Sequence, residues 1–375
     1  MDRCDVLIVG GGPAGSSCAR ELARLGLDVI VMDRSEFPRD KVCAGWITPQ
    51  IVDALDLDLD EYRRERTLQP LVGFTCGIIG GRSVSVRYRE PVSFAIRRCE
   101  FDDYLLRRSQ ARLRLDEPLQ SALRRDGGWL INGSIQARLL IGAGGHFCPV
   151  ARLLGADVGR SESAIYAQEI EFRMSAEQAA ACRVAPEQAE LYFCKDLAGY
   201  GWCVRKGEFL NVGLGREDSS NLSQALQSFW SWLIETGRIA ASAPPHFKGH
   251  AYLLHSHSRR SVFADQCLLI GDAAGLAYAQ SGEGIRPAVE SALLAASTIG
   301  AVRGDYRATT LAAYAARLDA RFGPRVQRPA MSLRPWRALR QSLARFLLTR
   351  KSFARYVLLD RLFLHRTEPA LQLTG

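Results

Sequence analysis

The stretch VLIVGGGPAGSSCARELARLGLDVIVMDR, residues 6–34, predicts a strand, a glycine-rich turn, a helix and a second strand in close succession. The apolar run over residues 5–9 is typical of a fully buried parallel strand. Residues 16–25 follow with apolar side chains at helical spacing, and residues 27–32 form a second strand that ends at Asp33. This order of elements predicts the first unit of an α/β fold.

The turn between strand and helix matches the pattern G-x-G-x-x-G at Gly10, Gly12 and Gly15. Gly10 permits a tight turn, Gly12 lets the backbone approach a diphosphate, and Gly15 lets the helix pack closely on the strand. The helix N-terminus offers free N–H groups and the positive end of its dipole. Asp33 lies where a carboxylate accepts ribose hydroxyls. The stretch therefore predicts a Rossmann-like site for the ADP part of a dinucleotide.

A second glycine and acid element, CLLIGDAAGLAYAQSGEGI, occupies residues 267–285. Asp272 follows a buried-type strand, where it is placed to accept hydrogen bonds from a polyol chain. The amides that open the next helix at Gly284 are expected to face an electron-rich ring edge. Nicotinamide cofactors have no ribitol chain, whereas FAD has one. The two elements together predict FAD.

Five segments, in this order, resemble the flavoproteins of the p-hydroxybenzoate hydroxylase fold, particularly the geranylgeranyl reductase group, to which the flavin-dependent halogenases are related. The segments are GGGPAG with Asp33, PRDKVCAGWITP (38–49), RRCEFDDYL (97–105), GYGWCVRKGEFLNVGLG (199–215) and GDAAG with SGEGI (271–285). The resemblance implies one dinucleotide fold that binds FAD, with NAD(P)H visiting transiently as the reductant if it is used.

The resemblance also implies which residues contact the cofactor. The matching positions are Gly10, Gly12, Gly15, Asp33, Arg98, Asp272, Gly282 and Gly284. Further expected contacts are Pro13, Ala14, Arg34, Lys41, Cys43, Ala44, Gly271 and Ile285, in or next to the same segments, and Gly144 in the loop at residues 142–145. The chain departs from the family in the glycine loop at residues 142–145, which lacks the usual Asp. Gly144 and Gly145 still allow a close backbone approach to the cofactor.

Three residues are candidates for work on the substrate. Cys43 resembles the cysteine that geranylgeranyl reductases place near the flavin ring, where a thiol can donate a proton to the substrate; an inert buried cysteine is the alternative. Tyr200 and Trp202 are two residues apart on a predicted strand, and hence on one face of a sheet, so they form an apolar wall for a substrate. Ordinary sheet core is the competing interpretation of that wall.

These features favour an FAD-dependent reductase that transfers hydride to an alkene of an isoprenoid-like or other lipophilic molecule. The nearest alternative is a monooxygenase that uses a flavin C4a-hydroperoxide. A non-catalytic flavin-binding or lipid-binding protein and a halogenase are further alternatives. The sequence around Trp230 and Trp232 is similar to a halogenase signature, but it falls in a predicted helix, and no lysine follows the VCAG segment.

The predicted fold class is α/β, with an inserted antiparallel β-sheet. The boundaries are 1–70, 99–160 and 261–316 for a Rossmann-like FAD-binding domain, 71–98 and 161–260 for a substrate domain, and 317–375 for a helical, basic C-terminal segment. Ten scattered cysteines without metal-ligand spacing indicate reduced thiols and predict no metal site.

The net charge of +9 is concentrated near the C-terminus. Residues 317–366 contain thirteen of the lysines and arginines but two acidic residues. This segment predicts either a helical cap that packs on the fold or a surface that rests on anionic lipid. Nucleic acid is a third partner class, disfavoured because no recognition module accompanies the charge. The chain is expected to be cytoplasmic, with peripheral contact to the inner face of the membrane as the alternative, and its oligomeric state is left open.

Overall fold

The glycine-rich stretch folds into the predicted strand, turn, helix and strand. The helix begins at Pro13, three residues before the predicted start, because proline suits the first helical position, where its fixed φ is helical and its missing N–H has no intrahelical partner. The first two strands pair in parallel, with Val6 opposite Val29. The computed structural model describes residues 1–159, 162–240, 246–325 and 337–372.

The strands are numbered in chain order. They are β1 (Asp2–Val9), β2 (Val29–Met32), β3 (Trp46–Ile47), β4 (Leu68–Leu71), β5 (Gly73–Ile78), β6 (Ser83–Arg87), β7 (Ser93–Ile96), β8 (Arg112–Arg114), β9 (Ala122–Arg125), β10 (Gly128–Ile131), β11 (Ile135–Gly142), β12 (Ile165–Arg173), β13 (Gln188–Phe193), β14 (Gly199–Lys206), β15 (Phe209–Arg216), β16 (Lys248–Tyr252), β17 (Phe263–Ala264) and β18 (Cys267–Leu269).

The helices follow the same numbering. They are α1 (Pro13–Arg24), α2 (Pro49–Ala54), α3 (Leu59–Glu65), α4 (Arg98–Arg108), α5 (Pro149–Leu153), α6 (Ala176–Ala181), α7 (Leu222–Glu235), α8 (Ile285–Ala301), α9 (Ala308–Phe322), α10 (Arg337–Leu348) and α11 (Lys351–Phe353), followed by a π-helix over Ala354–Phe363.

The first sheet is the Rossmann-like one. Its strands run in the order β17-β18-β11-β1-β2-β8, and β9 and β10 form a hairpin beside β11. The strands from β18 to β8 are parallel. Helix α1 packs against α8 and α4. The central strands are buried on both faces, which explains their continuous apolar sequences.

The second sheet contains the antiparallel strands predicted for the substrate domain. Its order is β16-β12-β15-β14-β13-β5-β6, and every pair is antiparallel except β13 with β5. Helix α7 covers one face, where Leu226, Phe229 and Leu233 are buried. The other face, here called the cavity face, lies toward the first sheet and is partly covered by the C-terminal π-helix.

One predicted β-rich run, residues 83–98, is divided between two sheets. β6 ends the second sheet, whereas β7 joins β4 and β3 in a separate three-stranded sheet. Pro91 lies between them, and proline interrupts a strand because it has no N–H to donate to the ladder. The alternation of apolar residues alone did not show this break.

The C-terminal segment is helical on either side of residues 326–336, which lie outside the described residues, as do residues 373–375. Its end is fixed to α8 by Arg286, a fully buried side chain that donates hydrogen bonds to the carbonyl groups of His365, Glu368 and Pro369. Within the described ranges, every helix falls short of the length and hydrophobicity that crossing a membrane requires.

Candidate functional site

Three glycine-containing loops meet at one edge of the first sheet. They follow β1, β11 and β18, which are neighbours in the sheet and parallel, so their carboxyl ends lie side by side. In open α/β sheets, ligands bind in the crevice outside this edge. A cavity of about 700 Å³ lies here, between the loops and the cavity face of the second sheet.

The first loop is held by backbone geometry that requires glycine. Gly10 has φ +115°, and a Cβ there would lie 2.4 Å from the carbonyl oxygen of Ala143. The Gly11 N–H donates to Asp33 Oδ2 at 2.7 Å, and the Ser35 N–H donates to Asp33 Oδ1 at 3.0 Å. Asp33 thus fixes the turn and still lines the cavity. Its remaining lone pairs are available to hydroxyl groups.

Helix α1 opens toward the cavity without a side-chain cap, because its N-cap residue is Gly12. Gly12, Pro13 and Ala14 line the cavity, so the first amides of the helix and the positive end of its dipole face the space. A Cβ on Gly12 would lie 3.4 Å from Arg39 Nη2. Such an opening favours an anion, so the phosphate site that the sequence predicts stays a prediction with suitable geometry.

A buried carboxylate orients two arginines beside that opening. Arg98 forms two hydrogen bonds of 2.8 Å with Asp102, and Arg39 Nη1 lies 3.2 Å from Asp102 Oδ2. Burial alone would lower the pKa of Arg98, but Asp102 and the nearby Cys43 sulfur raise it. The sequence indicated Arg98. It missed Arg39 and Asp102, although they lie in two segments quoted for the resemblance, residues 38–49 and 97–105.

The second loop brings Asp272 to the same cavity, together with a histidine that the sequence did not identify. His250 Nε2 on β16 lies 3.6 Å from Asp272 Oδ2. Burial lowers the pKa of His250 to about 4, and the charge of Lys41 acts in the same direction. Burial also lowers the pKa of Lys41, to about 8. Burial would raise the pKa of Asp272, but His250 and Lys41 outweigh it, so the carboxylate is ionised at neutral pH and accepts hydrogen bonds.

The N-terminus of helix α8 also opens into the cavity. Its N-cap residue is Gly284, which has no side chain for capping. Gly282 has φ +70°, and a Cβ there would lie 2.4 Å from the hydroxyl oxygen of Tyr252. Tyr252, like His250, comes from β16, and no local signal in the sequence marked either residue. The uncapped amides would favour an electron-rich ring edge, as predicted.

Most of the predicted cofactor contacts line this one cavity. They are Gly10, Gly12, Pro13, Ala14, Asp33, Arg34, Lys41, Cys43, Ala44, Arg98, Gly144, Asp272, Gly282, Gly284 and Ile285. Gly145 lines it as well.

Two predicted contacts, Gly15 and Gly271, are not among the described residues that line the cavity. A Cβ on Gly15 would lie 1.8 Å from the Gly10 carbonyl oxygen, and one on Gly271 would lie 2.9 Å from Ala14 Cβ. These two glycines therefore let α1 pack against its neighbours instead of facing the cavity.

The substrate candidates lie at the end of the cavity that meets the second sheet. Tyr200 and Trp202 line it, with ring centroids 6.2 Å apart, and Tyr200 donates a hydrogen bond to the Ser281 carbonyl oxygen. The Cys43 sulfur accepts the Gly45 N–H at 3.4 Å and lies near Arg98. The cavity lining therefore combines charged groups with aromatic rings.

Two other predictions concern side chains away from these ends. Trp230 and Trp232 lie in α7, on the face of the second sheet opposite the cavity, where Trp230 packs in the core. Within the described part of the chain, no three His, Cys, Asp or Glu side chains are grouped as a metal site requires.

Comparison with known proteins gives consistent results. Residues 5–92 match a family described as "FAD dependent oxidoreductase". Menaquinone reductase of Mycobacterium tuberculosis is 30% identical over 329 residues, which cover 80% of this chain and 77% of that protein. The protein belongs to the geranylgeranyl reductase-like family of FAD-dependent oxidoreductases. Chloroplastic geranylgeranyl diphosphate reductase of Oryza sativa is 28% identical over 329 residues, covering 79% of this chain and 66% of that protein.

The fold of this family member agrees with a solved structure. A geranylgeranyl bacteriochlorophyll reductase-like protein from Thermoplasma acidophilum superposes with a TM-score of 0.73 at 22% identity, covering 93% of this chain and 88% of that one. The predicted α/β fold with a Rossmann-like sheet, an added antiparallel sheet and C-terminal helices is therefore confirmed, as is the predicted FAD-dependent oxidoreductase class.

The residues of this flavoprotein fit FAD. The uncapped N-terminus of α1 with Arg39 and Arg98 would hold the diphosphate, and Asp33 would hold the adenosine ribose. The ionised Asp272 would accept hydrogen bonds from ribityl hydroxyls, and the N-terminus of α8 would face the ring. Each group is on the lining of the same cavity.

Proposed function

We propose that this oxidoreductase is a reductase that saturates a carbon–carbon double bond of an isoprenoid-like or similarly lipophilic substrate. One observation carries the proposal. The Cys43 sulfur and the aromatic pair Tyr200 and Trp202 line the same cavity as the predicted FAD contacts. The relatives support it, since their names describe reductases of menaquinone and of geranylgeranyl diphosphate.

The residues at the aromatic end have separable tasks. Bound FAD, once reduced by NAD(P)H or another donor, supplies a hydride. Tyr200 and Trp202 provide an apolar surface that holds a chain-like substrate and excludes water. Cys43 holds the second hydrogen as a proton on its sulfur and donates it to the neighbouring carbon. The Gly45 amide donates a hydrogen bond to that sulfur, and Arg98 lies near it.

An anaerobic stopped-flow experiment tests the reaction. The holoenzyme is reduced with NADPH, NADH or dithionite and mixed with geranylgeranyl diphosphate, and the flavin absorbance is followed. We expect reoxidation without oxygen and a product two hydrogens heavier. Flavin that stays reduced until oxygen enters would identify a monooxygenase instead. Flavin that no donor reduces would identify a non-catalytic binding protein.

The role of the thiol is tested by Cys43→Ser. Serine is a far weaker acid than cysteine, so we expect FAD to remain bound at full stoichiometry while substrate reduction falls about a hundredfold, the lower range for loss of a general acid. Cys99→Ser is the matched control, because Cys99 is partly buried on α4 and outside the described cavity lining. Equal turnover of the Cys43 variant and the control would remove the thiol from the mechanism.

We also propose that the C-terminal helices rest on anionic lipid, from which a lipophilic substrate enters. Leu343, Phe346 and Tyr356 are exposed by 56%, 52% and 64%. Arg350 lies over the Phe346 ring, 4.1 Å from its centroid. On the inner side, the ring of Phe363 lies 5.3 Å from that of Tyr200. The same helices therefore present a basic and apolar surface to solvent and contact the candidate substrate wall.

A further inference from the structure

A cluster of buried polar side chains lies beneath the Cys43 loop, on the cavity face of the second sheet. Strand alternation and register place Glu169 and Glu171 of β12, Lys206 of β14 and Asn211 of β15 on this face, next to Trp202. Lys206 is 0% exposed and Asn211 1%. Buried polar groups are costly unless they are hydrogen-bonded, so the partners of this cluster carry information.

Asn211 is the member that joins the two functional candidates. The Trp202 indole N–H donates to Asn211 Oδ1 at 2.7 Å. The Asn211 amide Nδ2 donates to the Cys43 carbonyl oxygen at 3.3 Å and to Glu171 Oε2 at 3.2 Å. The indole is a donor only, and the carbonyl and carboxylate are acceptors only, so the amide has one orientation that satisfies all three.

The rest of the cluster fixes Asn211 from below. Lys206 Nζ lies 2.7 Å from Glu171 Oε2, and Arg97 Nε donates to Glu171 Oε1 at 3.0 Å. The loop lies directly on this base, because a Cβ on Gly45, whose φ is +66°, would be 2.6 Å from Lys206 Nζ. The backbone that carries the Cys43 sulfur is therefore positioned by the sheet.

The indole is fixed on its other side by a glycine. Gly213 lies opposite both Trp202 and Glu169 in the sheet, and a Cβ there would be 2.3 Å from the Trp202 ring carbon Cζ2. The ring therefore lies flat against the backbone with its N–H directed at Asn211. A substrate that contacts this ring would shift the indole N–H, and with it the Asn211 amide that donates a hydrogen bond to the Cys43 carbonyl oxygen.

We propose that Asn211 is a positioning residue that couples the Trp202 wall to the Cys43 loop, so that contact of substrate with the indole sets the position of the thiol. The assignment of Cys43 as proton donor rests on the proposed function. The coupling itself rests on the three hydrogen bonds of Asn211 and is measurable without turnover.

The chemistry of the amide predicts how substitutions behave. In Asn211→Asp the ionised carboxylate still accepts the Trp202 N–H, but it has no donor for the Cys43 carbonyl and repels Glu171. Protonation of the introduced carboxyl restores one O–H donor. The groups that face it are Glu169, whose pKa burial raises to about 7, and the charged Glu171, Lys206 and Arg97. Asn211→Leu keeps a side chain that branches at the same atom, with methyl groups in place of the amide oxygen and nitrogen, and it removes every side-chain hydrogen bond at all pH values.

The experiment measures the reactivity of Cys43 in the FAD-loaded protein with 4,4′-dithiodipyridine from pH 5 to pH 9, quantified by peptide mass spectrometry. Relative to wild type, we expect both variants to change the rate at pH 8 by about tenfold, the effect of one buried hydrogen bond. Asn211→Asp should return toward the wild-type rate as the pH falls, whereas Asn211→Leu should not. Asn221→Asp, at the start of α7 and outside this cluster, is the matched control and should react as wild type.

Two results would overturn the coupling. The first is a Cys43 reaction rate and pH profile in Asn211→Asp equal to those of wild type. The second is a change of the Cys43 reaction rate in Asn211→Asp that is independent of pH, as in Asn211→Leu. If Asn211→Leu does not fold, the pH-dependent return of Asn211→Asp decides alone. The two proposals fail separately. Altered thiol reactivity in a protein that reduces no alkene contradicts the reductase assignment, whereas alkene reduction with unaltered reactivity contradicts the coupling.

Discussion

Two glycines of one motif are expected to respond oppositely to alanine. In Gly15→Ala the new Cβ would lie 1.8 Å from the Gly10 carbonyl oxygen, so the helix or the turn must move by roughly 1.5 Å to reach ordinary contact. Both atoms belong to the backbone of packed elements. We expect this overpacking to cost about 3 kcal/mol, offset by about 1 kcal/mol of improved helix propensity, for a net loss of about 2 kcal/mol.

Gly12→Ala is the matched comparison. The backbone there, with φ −73° and ψ −174°, suits alanine, and the nearest side-chain atom is 3.4 Å away. We therefore expect the free energy of unfolding of the apoprotein to change by less than about 0.5 kcal/mol. The methyl group, however, lies toward the opening that would hold the diphosphate. FAD affinity should fall about thirtyfold, equivalent to about 2 kcal/mol.

Urea unfolding of the two apoproteins and fluorescence titration with FAD measure both quantities. The reasoning requires that stability and binding separate: Gly15→Ala destabilised, Gly12→Ala stable but deficient in FAD. If Gly12→Ala binds FAD with wild-type affinity, the α1 opening does not hold the diphosphate. If it unfolds as readily as Gly15→Ala, the two glycines share one structural role and the distinction drawn from their contacts is wrong.

Three further outcomes are expected. Burial lowers the pKa of His250 from 6.5 to about 4, so as the pH falls through this range the unfolded chain takes up a proton that the folded chain does not. His250→Gln should therefore remove up to about 3 kcal/mol of the acid destabilisation of the apoprotein. Equal slopes of the free energy of unfolding against pH for the variant and wild type would contradict this. Glu290→Ala removes the partner of the fully buried Arg286 and of the partly buried Arg321, and it should lower the free energy of unfolding in urea by about 3 kcal/mol; a loss below 1 kcal/mol would show that the two arginines find other partners. Replacing Arg350 and Lys351 by Gln should weaken sedimentation with phosphatidylglycerol vesicles about thirtyfold, whereas an unchanged partition would remove the lipid surface.

The parts of the site that the sequence predicted are those whose signal is local. Gly10, Gly12 and Asp33 lie within one strand-turn-helix-strand unit, and their roles follow from its geometry. Asp272 could be predicted for the same reason, because it directly follows a strand of the same sheet. For Gly15 the pattern predicted the close packing of helix on strand that the structure shows, whereas its contact with FAD came from the resemblance alone and stays a prediction.

Three residues that the sequence did not identify, His250, Tyr252 and Asn211, depend on pairings between distant strands. His250 and Tyr252 reach the cavity because β16 pairs with β12, more than 80 positions earlier in the chain. The role proposed for Asn211 can be inferred only once the fold places Trp202 and Cys43 on either side of it. A histidine or an asparagine on a strand has many ordinary uses, so no single-sequence pattern distinguishes these from residues that merely fill a sheet.

The cavity lining restricts how FAD and a substrate can share it. The diphosphate carries the negative charge of FAD, and the α1 opening with Arg39 and Arg98 offers it N–H donors, whereas the ring faces of Tyr200 and Trp202 offer it none. Burying an unpaired charge costs several kcal/mol, which is enough to favour one orientation by a hundredfold or more. We therefore expect the ring to lie toward the second sheet, beside Cys43. A charged group of a substrate would face the same penalty at the aromatic wall, which supports the proposal of a lipophilic substrate.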